Sequence, residues 1–227
     1  VQDLHFRIDG PVVRELAAAF GLDWAFTTGE RLGGDTWYPV VKPTGGTLAR
    51  CIADGPDEDF DVIRRLFLGA FAAARWLVRI VTPYFLPDQT LITALNVTAM
   101  RGVQVQILIP ERNNLRFVQW AAQGQADQIL EGGSRIYLTA PPFDHTKLML
   151  VDDSWCCVGS ANWDPRSLRL NFELNVECYD HGLASQLNQL VDRKLGTAKE
   201  LRPGNLRARP LPPRLRDGFS RLFIPYL

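Results

Sequence analysis

The 227-residue sequence has no surplus of either charge: 25 lysines and arginines balance 25 aspartates and glutamates. Proteins that hold nucleic acid through its phosphates draw their affinity from a basic excess, so no nucleic-acid partner is expected. Cysteine is sparse as well. The four present (Cys51, Cys156, Cys157, Cys178) show neither C-x-x-C spacing nor the density of a small secreted domain. That argues against structural zinc and against a disulfide framework; Cys156 and Cys157 read instead as reduced core residues of an apolar strand. No apolar run reaches the roughly 18 residues of a membrane-spanning helix. The nearest approach, Leu66 to Val81, is interrupted by Arg75 and Arg79. The opening residues carry no signal-peptide pattern, and any spanning anchor is expected upstream.

What is there alternates regularly between strand and helix. Leu4 to Ile8 has the in-out pattern of a half-buried strand, and Gly10-Pro11 opens a helix with Val12, Val13, Leu16, Ala19 and Phe20 on one face. From about Thr27 to Thr47 glycine, proline and threonine dominate, as in a linker, and Trp37 and Tyr38 within it either dock on the surface or meet a ligand. Strands are expected at Leu48 to Ala53, Leu77 to Val81, Val103 to Ile109, Arg135 to Leu138 and Phe172 to Tyr179. Helices are expected from Pro56, with acids at its positive end, from Pro87-Asp88 to Gly102, from Leu115 to Glu131, and from Leu183 to about Leu195. This alternation predicts an α/β fold: a mixed, mostly parallel β-sheet flanked by helices on both faces.

The chemistry concentrates in Asp144-His145-Thr146-Lys147-Leu148-Met149-Leu150-Val151-Asp152 and the following Gly159-Ser160-Ala161-Asn162. Residues two apart on a strand share a face, so His145 and Lys147 point the same way. Leu148 to Val151 is apolar throughout, as in a strand buried on both faces. An imidazole with an unperturbed pKa of about 6.5 can act as nucleophile or proton donor near neutrality. Lys147 supplies a point charge, and Ser160 and Asn162 supply polar groups, for an anion. A lone histidine would more simply be a satisfied core residue; beside Lys147, at the end of a buried strand, it implies something anionic over the pair.

The H-x-K-x4-D spacing resembles the HKD motif of the phospholipase D superfamily. Asn162-Trp163-Asp164-Pro165-Arg166-Ser167, Asn171-Phe172-Glu173, Thr82-Pro83-Tyr84-Phe85-Leu86-Pro87 and Arg101-Gly102-Val103 are similar to bacterial cardiolipin synthases. The resemblance implies a phospholipase D-like α/β/α sandwich and a catalytic set of His145, Lys147 and Asp152. Within that set Asp152 reads as bonding near the strand turn rather than touching substrate. Ser160, Asn162 and Glu173 would hold and orient the substrate phosphate, with Glu173 fixing the histidine of another half. Asp164 and Arg166 form an ion pair beneath the site or meet substrate directly. No metal or other cofactor is implied.

Family members carry two such motifs, whereas this sequence has one, and Asp3 to Pro11 looks like the segment closing the first half. The chain is therefore expected to be the C-terminal half of a longer protein. Residues 1–47 would be the tail of the missing half plus linker, 48–200 the second catalytic domain and 201–227 a basic, apolar tail. The implied activity is transfer of a phosphatidyl group between two phosphatidylglycerol molecules through a phosphohistidine, giving cardiolipin, with the isolated half inactive. The rivals are phospholipase D hydrolysis and a metal-independent nuclease acting as a dimer. Implied partners are anionic phospholipid, a membrane surface, and the missing half or a second copy, at the bacterial cell membrane on its cytoplasmic face or peripherally. The tail holds six arginines and one aspartate among leucines and phenylalanines. It suits either an anionic lipid surface or docking on the protein, and its prolines exclude one long helix. Arg112 and Arg116 sit just past a strand end, where they either meet a headgroup or are merely solvated.

Overall fold

The computed structural model describes residues 1–55, 61–203 and 209–224. Its centre is an eight-stranded sheet in the order β1-β7-β6-β5-β2-β3-β4-β8. The strands are β1 (Leu48–Asp54), β2 (Leu77–Val81), β3 (Gln104–Pro110), β4 (Arg135–Thr139), β5 (Leu148–Val151), β6 (Trp155–Gly159), β7 (Glu173–Tyr179) and β8 (Lys199–Leu201). The helices are α1 (Val12–Thr28), α2 (Val62–Ala73), α3 (Gln89–Met100), α4 (Arg116–Glu131), α5 (His181–Leu195) and α6 (Leu211–Arg221).

Strand β5 lies mid-sheet and all four of its residues are buried, alternating between two cores. Met149 and Val151 join Phe67, Phe71, Ile92, Leu95 and Ile129 of α2, α3 and α4. Leu148 and Leu150 join Leu187 and Val191 of α5, with Leu16 of α1 packed alongside. Helices thus cover both faces, the expected α/β/α sandwich. The sense of the sheet differs from the expectation. Among the described residues only β2–β3 and β3–β4 are parallel, and the other pairings are antiparallel. Helical crossovers, which parallel neighbours require, join adjacent strands only at β2–β3 and β3–β4; β5, β6 and β7 form a meander through a tight turn and a loop.

Helix boundaries follow local chemistry. Asp88 caps α3 by accepting from Leu91 N at 3.0 Å, and Gly102 leaves it at φ +88°, where a side chain would be strained. Asp180 caps α5 through Leu183 N at 2.7 Å. The start expected at Pro56 lies outside the described residues; buried Asp54 accepts from Ile63 N at 2.9 Å at the beginning of α2. The strand expected over Leu4 to Ile8 does not form. Instead Gln2 alone pairs with Asp144, while Leu4 and Ile8 pack on the α5-side core. Trp37 stacks on Phe20 of α1 at 6.4 Å, so the aromatic of the 27–47 stretch is docked. All four cysteines are free, and burial pushes the Cys157 thiol up to about 12. No helix among the described residues is long and apolar enough to cross a membrane.

Candidate active site

Three chain segments end at one edge of the sheet. Leu148 at the start of β5 is opposite Val158 of β6, and Gly159 at the end of β6 is opposite Asn175 of β7. His145 and Lys147 therefore enter beside Ser160 and Glu173. The approach is fixed from behind: buried Asp144 pairs with Lys194 of α5 and accepts from Thr146 N at 3.2 Å.

His145 is half-exposed and stands against Asp3, Lys147 and the rings of Tyr84 and Phe143. Asp3 Oδ2 lies 3.2 Å from its Nδ1, and Lys147 Nζ lies 2.8 Å from Nδ1 and 3.1 Å from Nε2. The ammonium also donates to the His145 carbonyl at 2.8 Å, which holds it beside the ring. The ring contacts are alternatives set by the tautomer. A proton on Nδ1 serves Asp3 and leaves the Nε2 lone pair to accept from Lys147. Tyr84 closes one side, its ring edge-on to the imidazole at 6.5 Å. Burial lowers the Lys147 pKa, while Asp3, Glu173 and Asp144 pull it back up. A partly desolvated ammonium among carboxylates is poised to exchange them for the non-bridging oxygens of a phosphate group.

Glu173 is buried and held locally. Ser160 Oγ donates to its Oε2 and Asn171 Nδ2 donates to Oε1 at 3.1 Å. Leu174 N in turn donates to Ser160 Oγ at 2.9 Å, so the exposed hydroxyl is locked in place. Asn162 turns away onto Ser167 Oγ at 3.1 Å, and its own buried Oδ1 has no partner. Neighbouring Trp163 is sandwiched by Phe67 at 4.3 Å and trades backbone bonds with Tyr84 and Leu86, fastening the turn to the loop after β2.

Asp152 stands apart from these side chains. It lies past the other end of β5, at φ +55°, and accepts from the backbone of Arg75, Trp76 and Leu77 at 2.9 to 3.1 Å. Its carboxylate ties the start of β2 to the β5–β6 turn, and β5 itself separates it from the imidazole. Asp164 and Arg166 do not form the ion pair considered above: Asp164 accepts from Ser167 N at 2.8 Å, and Arg166 is exposed. Burial pushes the Asp164 carboxyl up to about 6. No group of three or more potential metal ligands occurs among the described residues.

Two neighbours of the imidazole were not legible as site residues. Asp3 is 142 positions away in sequence and arrives only because Gln2 pairs with the motif backbone: His145 N donates to Gln2 O at 2.7 Å. Tyr84 belonged to a recognised stretch, but nothing in its spacing pointed to the histidine.

Comparison with known proteins bears on the family and the fold. Residues 68–195 match the family model "Cardiolipin synthase, PLD-like domain". Cardiolipin synthase 2 of Staphylococcus epidermidis is 35% identical over 228 residues, covering all of this chain and 47% of the relative. Cardiolipin synthase of Geobacillus thermodenitrificans is 34% identical, with all of this chain and 45% of the relative covered. The chain therefore spans about half the length of the curated relatives it matches. Among solved structures, phosphatidylserine synthase of Haemophilus influenzae superposes with a TM-score of 0.66 at 18% identity over 82% of this chain and 49% of that one. Nuc of Salmonella typhimurium, a phospholipase D family member, superposes with a TM-score of 0.59 at 23% identity over 69% of this chain and 99% of that one. These two likenesses concern the fold. With the match to the family model spanning more than half of its residues, the chain belongs to the family of cardiolipin synthase PLD-like domains.

Proposed function

We propose that this chain supplies one imidazole–ammonium set to a shared centre that joins two phosphatidylglycerol molecules into cardiolipin and glycerol. The observation that carries the reading is the contact set of His145, Lys147 and Asp3 beside Ser160 and Glu173, in a chain of the cardiolipin synthase family. The catalytic region is the sheet and its helices, residues 48–200. Residues 1–47 are the end of a preceding half and its linker, and residues 201–227 are a peripheral tail.

The residues present account for half of an alcohol exchange at phosphorus. One imidazole nitrogen forms a bond to phosphorus while the P–O bond to the departing glycerol breaks. A second imidazole, from another half or another copy, hands its proton to that alkoxide. The hydroxyl of the next phosphatidylglycerol then gives its proton back to the second imidazole and attacks phosphorus, and the P–N bond breaks. Lys147 neutralises the non-bridging oxygens in both steps, and the Ser160 hydroxyl supports them. Asp3 holds Nδ1–H and so presents Nε2 as the reacting atom. Glu173, locked by Ser160 and Asn171, is placed to do the same for the second imidazole.

Substrates of this kind lie in a membrane, so the protein works at the bacterial membrane surface, on its cytoplasmic face or peripherally. The test is a mixed-micelle assay on the two-half protein with labelled phosphatidylglycerol. Cardiolipin and free glycerol are expected. Phosphatidic acid as the main product would make water the acceptor and the protein a phospholipase D. His145→Ala is expected to abolish turnover with the melting temperature unchanged, since the ring is half-exposed; retained turnover would remove it from the mechanism.

A further inference from the structure

Helix α6 is amphipathic in the wrong sense for a helix docked on its own protein. An amphipathic helix ordinarily buries its apolar stripe and shows its polar face to water. Here the buried positions are Asp217 and Ser220, whereas Leu211, Leu215, Phe219 and, just past the helix end, Leu222 are 60 to 71% exposed. They recur at spacings of four, four and three, which puts them on one ridge. The polar face is committed inward: Arg209 Nη1 donates to Asp217 Oδ2 at 2.6 Å, and Arg216 donates to Oδ1 at 2.7 Å while lying over the Trp120 ring at 4.3 Å. Gly124 of α4 lets the two helices touch at the backbone, because a Cβ there would sit 2.6 Å from Asp217 O. The helix therefore cannot simply roll over to hide the ridge.

The ridge continues onto α4. Phe219 meets Phe223 at 5.2 Å, and Phe223 meets Phe117 at 5.7 Å, next to half-exposed Leu115. Exposed arginines border it: Arg214 and Arg221 on α6, and Arg112 and Arg116 at the start of α4. Contiguous apolar surface of this extent marks a binding face, and a guanidinium rim around it matches a layer with an oily interior and anionic heads. Past the ridge, buried Ile224 packs with Leu86, Val118 and Ala121, against which Tyr84, the wall of the imidazole, is also packed.

We propose that the α6 ridge is the surface by which this chain lies on an anionic phospholipid bilayer, with Leu215 and Phe219 among the acyl chains and the four arginines at the phosphates. Through Ile224 and Tyr84 the docked ridge fixes how the imidazole meets the lipid headgroups. The choice of a bilayer rests on the phospholipid reading above, but its test needs no turnover, so the two can fail separately.

The experiment is vesicle co-sedimentation of the full chain, with vesicles of equal parts phosphatidylglycerol and phosphatidylcholine against phosphatidylcholine alone. Preferential binding to the mixed vesicles is expected. Leu215→Asp and Phe219→Asp should each weaken it about tenfold, with the melting temperature unchanged because both side chains face outward. Arg214→Glu with Arg221→Glu should remove most of the preference for the anionic vesicles, about fivefold for each arginine. Phe219→Trp, which keeps the ridge apolar, should shift its emission to the blue on the mixed vesicles. Unchanged binding by the aspartate variants, or no binding by the unmodified chain, overturns the proposal. So does an effect of these substitutions on self-association alone, which would make the ridge a contact between copies.

Discussion

In the proposed exchange, which nitrogen of His145 reacts depends on a residue 142 positions away. With Asp3 in place, the Nδ1 proton has an acceptor and the Nε2 lone pair is left toward Lys147 Nζ, 3.1 Å away. An amide at position 3 can donate to Nδ1 as readily as accept from it, so the tautomer is no longer held. Asp3→Asn is expected to lower turnover of the two-half protein about 100- to 10,000-fold, without loss of stability, because the carboxylate is over a third exposed. A KM change alone would make Asp3 a binding residue rather than a positioning one. Asp164 poses the opposite problem. Burial lifts its carboxyl from 3.8 to about 6, so between those values the folded chain binds more proton than the unfolded one. Stability therefore falls as pH rises from about 4 to 6 and is level above, the reverse of a carboxylate with a depressed pKa. Asp164→Asn keeps an acceptor for Ser167 N and removes the buried charge. It should flatten that stretch of the stability–pH curve and stabilise the protein at pH 7 by roughly 1–3 kcal/mol, read by urea unfolding across pH. A slope that survives the substitution would show that another group carries it.

At the scale of elements, the join between β6 and β7 has the least room to spare. A Cβ on Gly159 would fall 2.1 Å from Asn175 Oδ1 and 2.3 Å from the Leu174 carbonyl, and the latter is backbone that cannot swing away. Gly159→Ala should thus part the strands locally, costing about 1–3 kcal/mol. It should also unseat Ser160 from Glu173, visible as lost turnover even at temperatures where the fold persists. A variant as active and as stable as the parent would mean that the join gives way freely. Such an intolerance is invisible in sequence, where Gly159 is one member of a Gly-Ser turn. Other elements were plain. The four apolar residues of β5 have no polar face to offer solvent, so only a strand buried on both sides fits them. Asp88 and Gly102 bracket α3 by local chemistry alone. What could not be read is what depends on distant partners. The sense of the sheet follows from which strands follow each other without a helix. The Leu4 to Ile8 alternation reflects packing on the α5-side core and not a ladder. The tail's composition allowed both docking and lipid contact, and it took the burial of Asp217 and Ser220 to show which face is turned out.

Over the whole molecule, the described residues contain one imidazole–ammonium pair in contact, His145 with Lys147, since His181 bonds instead to the Asp153 carbonyl beyond the opposite end of β5. His5 does not serve either: no lysine follows it at the motif spacing. An exchange at phosphorus needs a nucleophile and an acid at the same moment on opposite sides of the transferred group, and one ring cannot be both. Losing a positioned general acid typically costs 100- to 10,000-fold in rate, and here the nucleophile's return step suffers equally because no base takes the incoming proton. The 227-residue chain held as a monomer is therefore expected to show negligible phosphatidyl transfer, measured alongside sedimentation that fixes its state. Addition of a separately made preceding half should restore it. If two copies assemble a site instead, mixing the chain with excess His145→Ala should depress activity as the square of the intact fraction, whereas independent sites give a straight line. Robust turnover by a demonstrated monomer would remove the second imidazole from the mechanism and leave Lys147 as the remaining proton donor within reach of the ring.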